Sequence, residues 1–289
     1  MEDQLTEAER RHFDKLEKNM AEKVEEGKGV RETIYEMLSS LQEFVERDMT
    51  SFNVSLRKGK FLPQSSVELL CKVMLSKLSC AITVCTVEYA MGACSKSLLL
   101  YPDLWPVIVK CILGGMCAHS LDANVQSNGF YALGRLLEDS KEKKDLVFVQ
   151  GKAAPAGERL SWLMVESSVV EVTVLAMKNH QDTVTTNNSC LLIQHLISLS
   201  VTAKDLIHRH NVVHHVMEGM EHNEQDGELL IHCMKAFGDC VEDTEMLPSV
   251  LERIISWVSS FASKLNMNDK LLLDYCTLVR KVSQIPGNG

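Results

Sequence analysis

The sequence predicts an all-α fold assembled from stacked helical copies, and three observations carry that prediction. From about residue 66 onward, apolar residues recur at i, i+3, i+4 and i+7 in stretches of 10–16 residues, the period of a helix with one buried face. Only 15 Gly and 6 Pro occur in 289 residues, too few for a many-turned sandwich of strands. A motif also returns along the chain: Glu88-Tyr-Ala-Met-Gly92 recurs as Phe130-Tyr-Ala-Leu-Gly134, and again as Lys235-Ala-Phe-Gly238.

The first 60 residues carry 14 acidic and 11 basic side chains. Leu16, Met20 and Val24 mark one helical stripe, which the Gly27-Lys-Gly29 break interrupts. A second stripe follows at Ile34, Met37, Leu38, Leu41 and Val45. We read 1–60 as a charged helical extension that caps the repeat domain assigned to 61–289; a mobile arm or a dimerising helix is the alternative. The heptads are too few to define a coiled coil.

Beyond residue 66, polar breaks punctuate the helices at Tyr101-Pro-Asp103, Ser120 to Asn124, Glu138 to Lys144, Asn179 to Asp182 and Asn223 to Gly227. Segments 143–149 and 169–175 are rich in Val. Helices on both sides leave a lone strand nothing to pair with, so neither is assigned as a strand. Gln150 to Gly157 is expected to be an extended loop. Ile254, Trp257, Val258 and Phe261, with the stripe from Leu271 to Cys276, read as a C-terminal cap.

The first two motif copies lie 42 residues apart, and the second and third 104 apart. That gap holds one intermediate copy over 185–197, with Ser189, Leu192, Ile193, Leu196 and Ile197 on its apolar face, plus an insertion around 150–157. The apolar positions align too. Val125, Gly129, Ala132, Leu133, Leu136 and Leu137 match Leu229, Cys233, Ala236, Phe237, Cys240 and Val241. Small residues at 129 and 233 let a neighbouring helix approach closely. Each copy is preceded by another amphipathic helix, such as 107–116 or 212–220. A helix set of this length cannot bury its own face, so it stacks on its neighbours.

The stretch Asn124-Val-Gln-Ser-Asn-Gly-Phe-Tyr-Ala-Leu-Gly-Arg-Leu-Leu137 resembles the third helix of an armadillo repeat. The stretch from Asp205 to Met220 resembles the short helix and second helix that precede it. The resemblance covers roughly 66–285, with HEAT repeats of similar period as the nearest alternative. It implies a right-handed α-solenoid of about four imperfect repeats whose third helices line a concave groove. Such a groove binds a partner protein or an extended peptide without catalysis and without a cofactor. In the nuclear-import adaptors of this family, a Trp precedes the Ala-Leu-Gly and an Asn follows it. Here the Trp-like slots hold Tyr89, Tyr131, Leu191 and Lys235, and the Asn-like slots hold Ala93, Arg135, His195 and Asp239. The Asn ladder is absent, so recognition of basic import signals is not implied. The candidate partner-binding residues are therefore Tyr89, Tyr131, Arg135, His195, Lys235 and Asp239. Tyr131 and Arg135 together match the composition of interface hot spots, and equally that of an ordinary solvated helix face. Lys235 and Asp239, spaced i and i+4, suit a helix ion pair.

Other function classes are weighed against the same residues. Thirty Lys and Arg against 39 Asp and Glu give a net charge of −9, which weakens a nucleic-acid reading because phosphate contacts need a basic surface. No apolar run approaches membrane-spanning length, and the charged first 30 residues show no signal peptide, so membrane insertion is not expected. The ten cysteines include no CxxC pair and are read as buried free thiols in a reducing compartment, cytoplasmic or nuclear. No phosphate-cradling or nucleophile-elbow motif occurs, so no catalytic residue is assigned. His208, His210, His214, His215 and His222 cluster within 15 residues, and His210 and His214 share a helix face. Without a CxxC or HExxH partner motif they are read as polar residues of a helix end, and no metal is assigned. A helical regulatory module of a GTPase or kinase, and a metal- or redox-dependent helical protein, stand as alternatives. Met74, Met116, Met177, Met217, Met220 and Met234 all fall on apolar faces and read as core filling.

Overall fold

The computed structural model describes residues 64–241 apart from 77, 142–145, 150–151 and 224–225, together with positions 256, 276, 277, 279 and 280. The extension over 1–60 and the cap expected around Trp257 and 271–275 lie outside the described residues. The described region is mostly helical, as the periodicity requires. The chain divides into two compact units, Met1–Leu163 and Met164–Gly289.

The first unit contains α1 (Gln64–Ser76), α2 (Ala81–Ala93), α3 (Ser95–Leu98), a 3-10 turn at Pro102–Leu104, α4 (Trp105–Ala118), α5 (Ala123–Lys141), strands β1 (Leu146–Val149) and β2 (Lys152–Pro155), and most of α6 (Ala156–Glu166). Pro102 opens the 3-10 turn where its missing N–H costs nothing. Asp122 starts α5 by accepting from the N–H groups of Asn124 and Val125 at 3.0 and 3.3 Å. Trp105 donates its indole N–H to the Leu98 carbonyl at 3.2 Å and so holds α3 against α4.

Helices α1 and α4, and α2 and α5, lie side by side. Cys111 Sγ of α4 faces the Cys71 carbonyl of α1, Gly115 faces Met74, and His119 bonds the Leu78 carbonyl at 2.6 Å. These pairs advance together along both helices, so α1 and α4 run in the same direction. The same holds for α2 and α5, where Cys85 meets Asn128, Tyr89 meets Tyr131 and Gly92 meets Tyr131 and Ala132. Four side-chain ties in this unit join residues 40 to 44 apart, close to the motif spacing. Gly115 is where α4 meets α1 and α2: a Cβ there would stand 2.6 Å from both Met74 and Val84. At Gly129 the space for a side chain is taken by Met116 at 2.5 Å, the close approach expected of a small residue.

The second unit contains α7 (Val169–Asn179), α8 (Thr183–Leu199), α9 (Val201–Arg209), α10 (Val212–His222) and α11 (Gly227–Val241). Its caps fall in the polar breaks: Asp182 accepts from Thr185 N–H at 2.9 Å, Ser200 from Ala203 N–H at 3.1 Å and Asp226 from Leu229 N–H at 3.0 Å. Ser168 and Asn211 precede α7 and α10 in the left-handed region, at φ 65° and 54°. Asn accepts that conformation more readily than most side chains. α7 packs on α10 and α8 on α11. Asn223 reaches back to the Gln181 carbonyl at 3.0 Å and accepts from Thr183 at 2.9 Å, across separations of 42 and 40 residues.

Two expectations are corrected. Val-rich 146–149 is a strand, paired antiparallel with 152–155 in the register Leu146↔Pro155 to Val149↔Lys152. The partner, Lys152–Pro155, lies in the stretch expected to be a loop. The polar break placed at Glu138 begins later, because α5 continues to Lys141. Segment 169–175 is helical, as its neighbours implied.

The core follows the aligned faces. Val125, Ala132, Leu133, Leu136 and Leu137 are buried, as are Leu229, Cys233 and Ala236 and all six methionines singled out from the sequence. One core position breaks the pattern. Glu88, which aligns with fully buried Phe130, is itself fully buried, and neither carboxylate oxygen has a hydrogen-bond partner. Burial pushes its carboxyl well above the usual carboxylate range, and the nearby Asp122 adds to the shift.

Leu133→Asp should cost more than about 4 kcal/mol by placing an unpaired charge in the core, read as loss of the cooperative thermal transition by circular dichroism. Glu88 yields a pH signature. Because its folded pKa is raised, its neutral form favours the native state. That contribution is fully present below the unfolded carboxylate pKa and is lost as pH rises through the folded value. Glu88→Met should therefore be more stable than wild type at pH 8, by about 1–3 kcal/mol. The difference should shrink toward pH 4 in denaturant melts; an equal difference at both pH values would refute the assignment.

Candidate functional site

The candidate residues fall into two groups, one in each unit. In the first, Tyr89 on α2 and Tyr131 on α5 stack with ring centroids 5.8 Å apart and planes 19° apart. The stack is seated by Gly92: a Cβ at that position would stand 2.5 Å from the Tyr131 ring. With no side chain there, the ring settles against the α2 backbone. Tyr131 is half-buried, while Tyr89 remains 50% exposed and forms the open edge of the aromatic pair. Burial raises the Tyr131 hydroxyl pKa, and the neighbouring Arg135 opposes that shift.

Arg135 lies one turn beyond Tyr131 on the same helix. Its guanidinium donates to Glu138 at 2.6 Å and reaches Asp139 at 3.5 Å. Asp139 is buried and also accepts from Ser95 Oγ, which ties α5 to α3. Arg135 is therefore oriented by two carboxylates of its own helix, with part of its surface still open. Asn128, not singled out by the sequence, donates to the Cys85 carbonyl at 3.3 Å and fixes the height of α5 against α2.

The second group lies on α8 and α11. His195 is half-buried on α8; Lys235 is exposed and Asp239 half-buried on α11. The register beneath them is set by Asn187, which meets His232 at 2.5 Å, and by Gln194, which donates to the His232 carbonyl at 2.9 Å. Between these two contacts, Cys190 and Cys233 place their sulfurs 3.5 Å apart. The structure thus brings Tyr89, Tyr131 and Arg135 into one patch; the other three belong to the second unit.

The cysteines partly depart from expectation. Cys71, Cys94, Cys111, Cys190 and Cys233 are buried, but Cys80, Cys117 and Cys276 are exposed and Cys85 is half-buried. Cys80 occupies the N-cap position of α2, and Cys117 the outer face of the last turn of α4, positions that an apolar run does not distinguish from its buried side. Burial pushes the Cys94 thiol up to about 12, which makes it unreactive at neutral pH.

The histidine cluster is rearranged relative to expectation. His210 sits in the turn before α10, with Nε2 3.5 Å from Glu171 of α7. His214 and His215 instead converge on Glu218, at 3.3 and 2.9 Å. Burial holds His215 below the usual histidine range. His119, close in sequence to Cys117, is engaged by the Leu78 carbonyl. No single helix among the described residues is long and apolar enough to cross a membrane.

Compared with known proteins, the chain matches no family model, no curated protein and no solved structure.

The seat at Gly92 makes Tyr131 part of the packing as well as of the surface. Tyr131→Ala should lower stability by about 2 kcal/mol through loss of the stack and the seated ring, whereas Tyr131→Phe should be nearly neutral. Chemical denaturation of the two variants beside wild type checks this.

Proposed function

We propose that this chain is an intracellular, non-catalytic interaction module built from about four armadillo-type repeats, two in each unit. In this reading it binds a protein or extended peptide on the faces of its third helices. The observation that carries the proposal is the same-direction pairing of α2 with α5, which sets exposed Tyr89 and half-buried Tyr131 and Arg135 in one row. An aromatic pair beside an oriented cation is a composition that interface hot spots favour. Tyr and Arg held by neighbouring groups lose little side-chain freedom on binding, so the surface is preorganised. The corresponding row of the second unit offers Lys235, His195 and Asp239 as polar contacts. The net charge of −9 favours partners other than nucleic acid.

The test is affinity capture from cells with partners read by mass spectrometry. Wild type would be compared with a Tyr89→Ala, Arg135→Glu double variant, which spares the seated Tyr131 ring. Circular dichroism should show both proteins equally helical. Partners lost only from the variant place binding on the α2–α5 face. Partners retained in full by the variant would remove these residues from the binding surface and end the proposal.

A further inference from the structure

We propose that His214, His215 and Glu218 of α10 form a binding site for a divalent transition-metal cation of the zinc class. The three side chains share one helix face because Glu218 lies three residues after His215 and four after His214. Their donor atoms, one from each residue, all lie within 4.8 Å of one another. In a tetrahedral site with bonds of about 2.0–2.1 Å, ligand atoms stand about 3.3 Å apart. His214 Nε2 is 3.3 Å from Glu218 Oε1, and His215 Nδ1 is 2.9 Å from Glu218 Oε2. One histidine thus approaches each oxygen of the Glu218 carboxylate, and the three donors, at up to 4.8 Å, would draw together by small side-chain rotations to hold an ion. The two imidazole rings are edge-to-face with centroids 5.3 Å apart.

The donor set selects the ion. Calcium and magnesium take oxygen ligands, whereas two imidazoles with one carboxylate suit zinc and its borderline neighbours. Burial differs across the set in a useful way. His215 is 8% exposed and anchored, while His214 and Glu218 are half-buried and leave a path for the ion. Two features oppose a cation here: the site lies in the first half of α10, toward the positive end of the helix dipole, and Lys178 of α7 faces His215. The negative charge of Glu218 must offset both, so it is the residue on which binding depends. His210, engaged with Glu171, and His222, whose Nδ1 lies 2.8 Å from the Glu218 backbone carbonyl, stand outside the donor set.

Cobalt(II) titration of the full chain, followed by displacement with zinc(II), tests the site. One equivalent of cobalt should give visible ligand-field bands without the near-ultraviolet band of a cobalt–thiolate bond, which separates this site from the exposed cysteines. Affinity should fall by about tenfold or more in His214→Ala and in Glu218→Gln, and stay unchanged in His222→Ala. Glu218→Gln keeps the shape of the side chain, and circular dichroism should show both ligand variants as helical as wild type. Absence of the visible bands would overturn the proposal. So would a thiolate band, or binding that survives both ligand substitutions.

Discussion

Neighbouring helices have to lie close enough for a side chain of one to rest on the backbone of the other. That constraint governs the first unit at Gly92 and Gly115, where no side chain could be added without displacing Tyr131, Met74 or Val84. The close approach brings α2 alongside α5 and α1 alongside α4. Everything proposed for the surface depends on it, because the Tyr89–Tyr131 stack exists only at that separation. A single short helix hairpin would leave its apolar faces in water, and the neighbouring helices are what cover them.

Apolar packing alone permits two parallel helices to slide along one another. Polar ties prevent this. Asn128 to the Cys85 carbonyl, His119 to the Leu78 carbonyl, Asn223 to the Gln181 carbonyl and Gln194 to the His232 carbonyl each join one segment to its neighbour at a fixed height. An unmade bond at a partly buried carbonyl carries a desolvation cost, so a slip along the helix axis is penalised at each tie. Glu88 is one exception among the described residues: a core position whose carboxylate oxygens have no hydrogen-bond partner.

Much of the fold was legible in the sequence because it rests on periodicity. The faces through Val125 to Leu137 and the caps at Asp122, Asp182 and Asp226 follow from local rules. The hairpin was not legible, since Lys152-Ala-Ala-Pro155 has no strand pattern of its own and gains its conformation from pairing with Leu146–Val149. The candidate site was legible in part. The motif spacing aligns Tyr89 with Tyr131, yet nothing local reveals that the second ring fills the space above Gly92. For the histidines, sequence spacing allows His214 to share a face with His210 or with Glu218. The left-handed turn at Asn211 interrupts the helix between His210 and His214, and only Glu218 remains on the same helix.

Same-direction pairing of neighbouring helices brings like side chains together at several contacts. Tyr89 faces Tyr131, Cys71 lies against Cys111, and Cys190 touches Cys233. Only side chains compatible with themselves survive such a meeting. Rings stack and thiols pack as small apolar groups, whereas a charge would face an equal charge. The seams between these helices thus admit rings and thiols that meet their own kind and exclude like charges, a restriction on sequence that holds whatever the exposed faces bind.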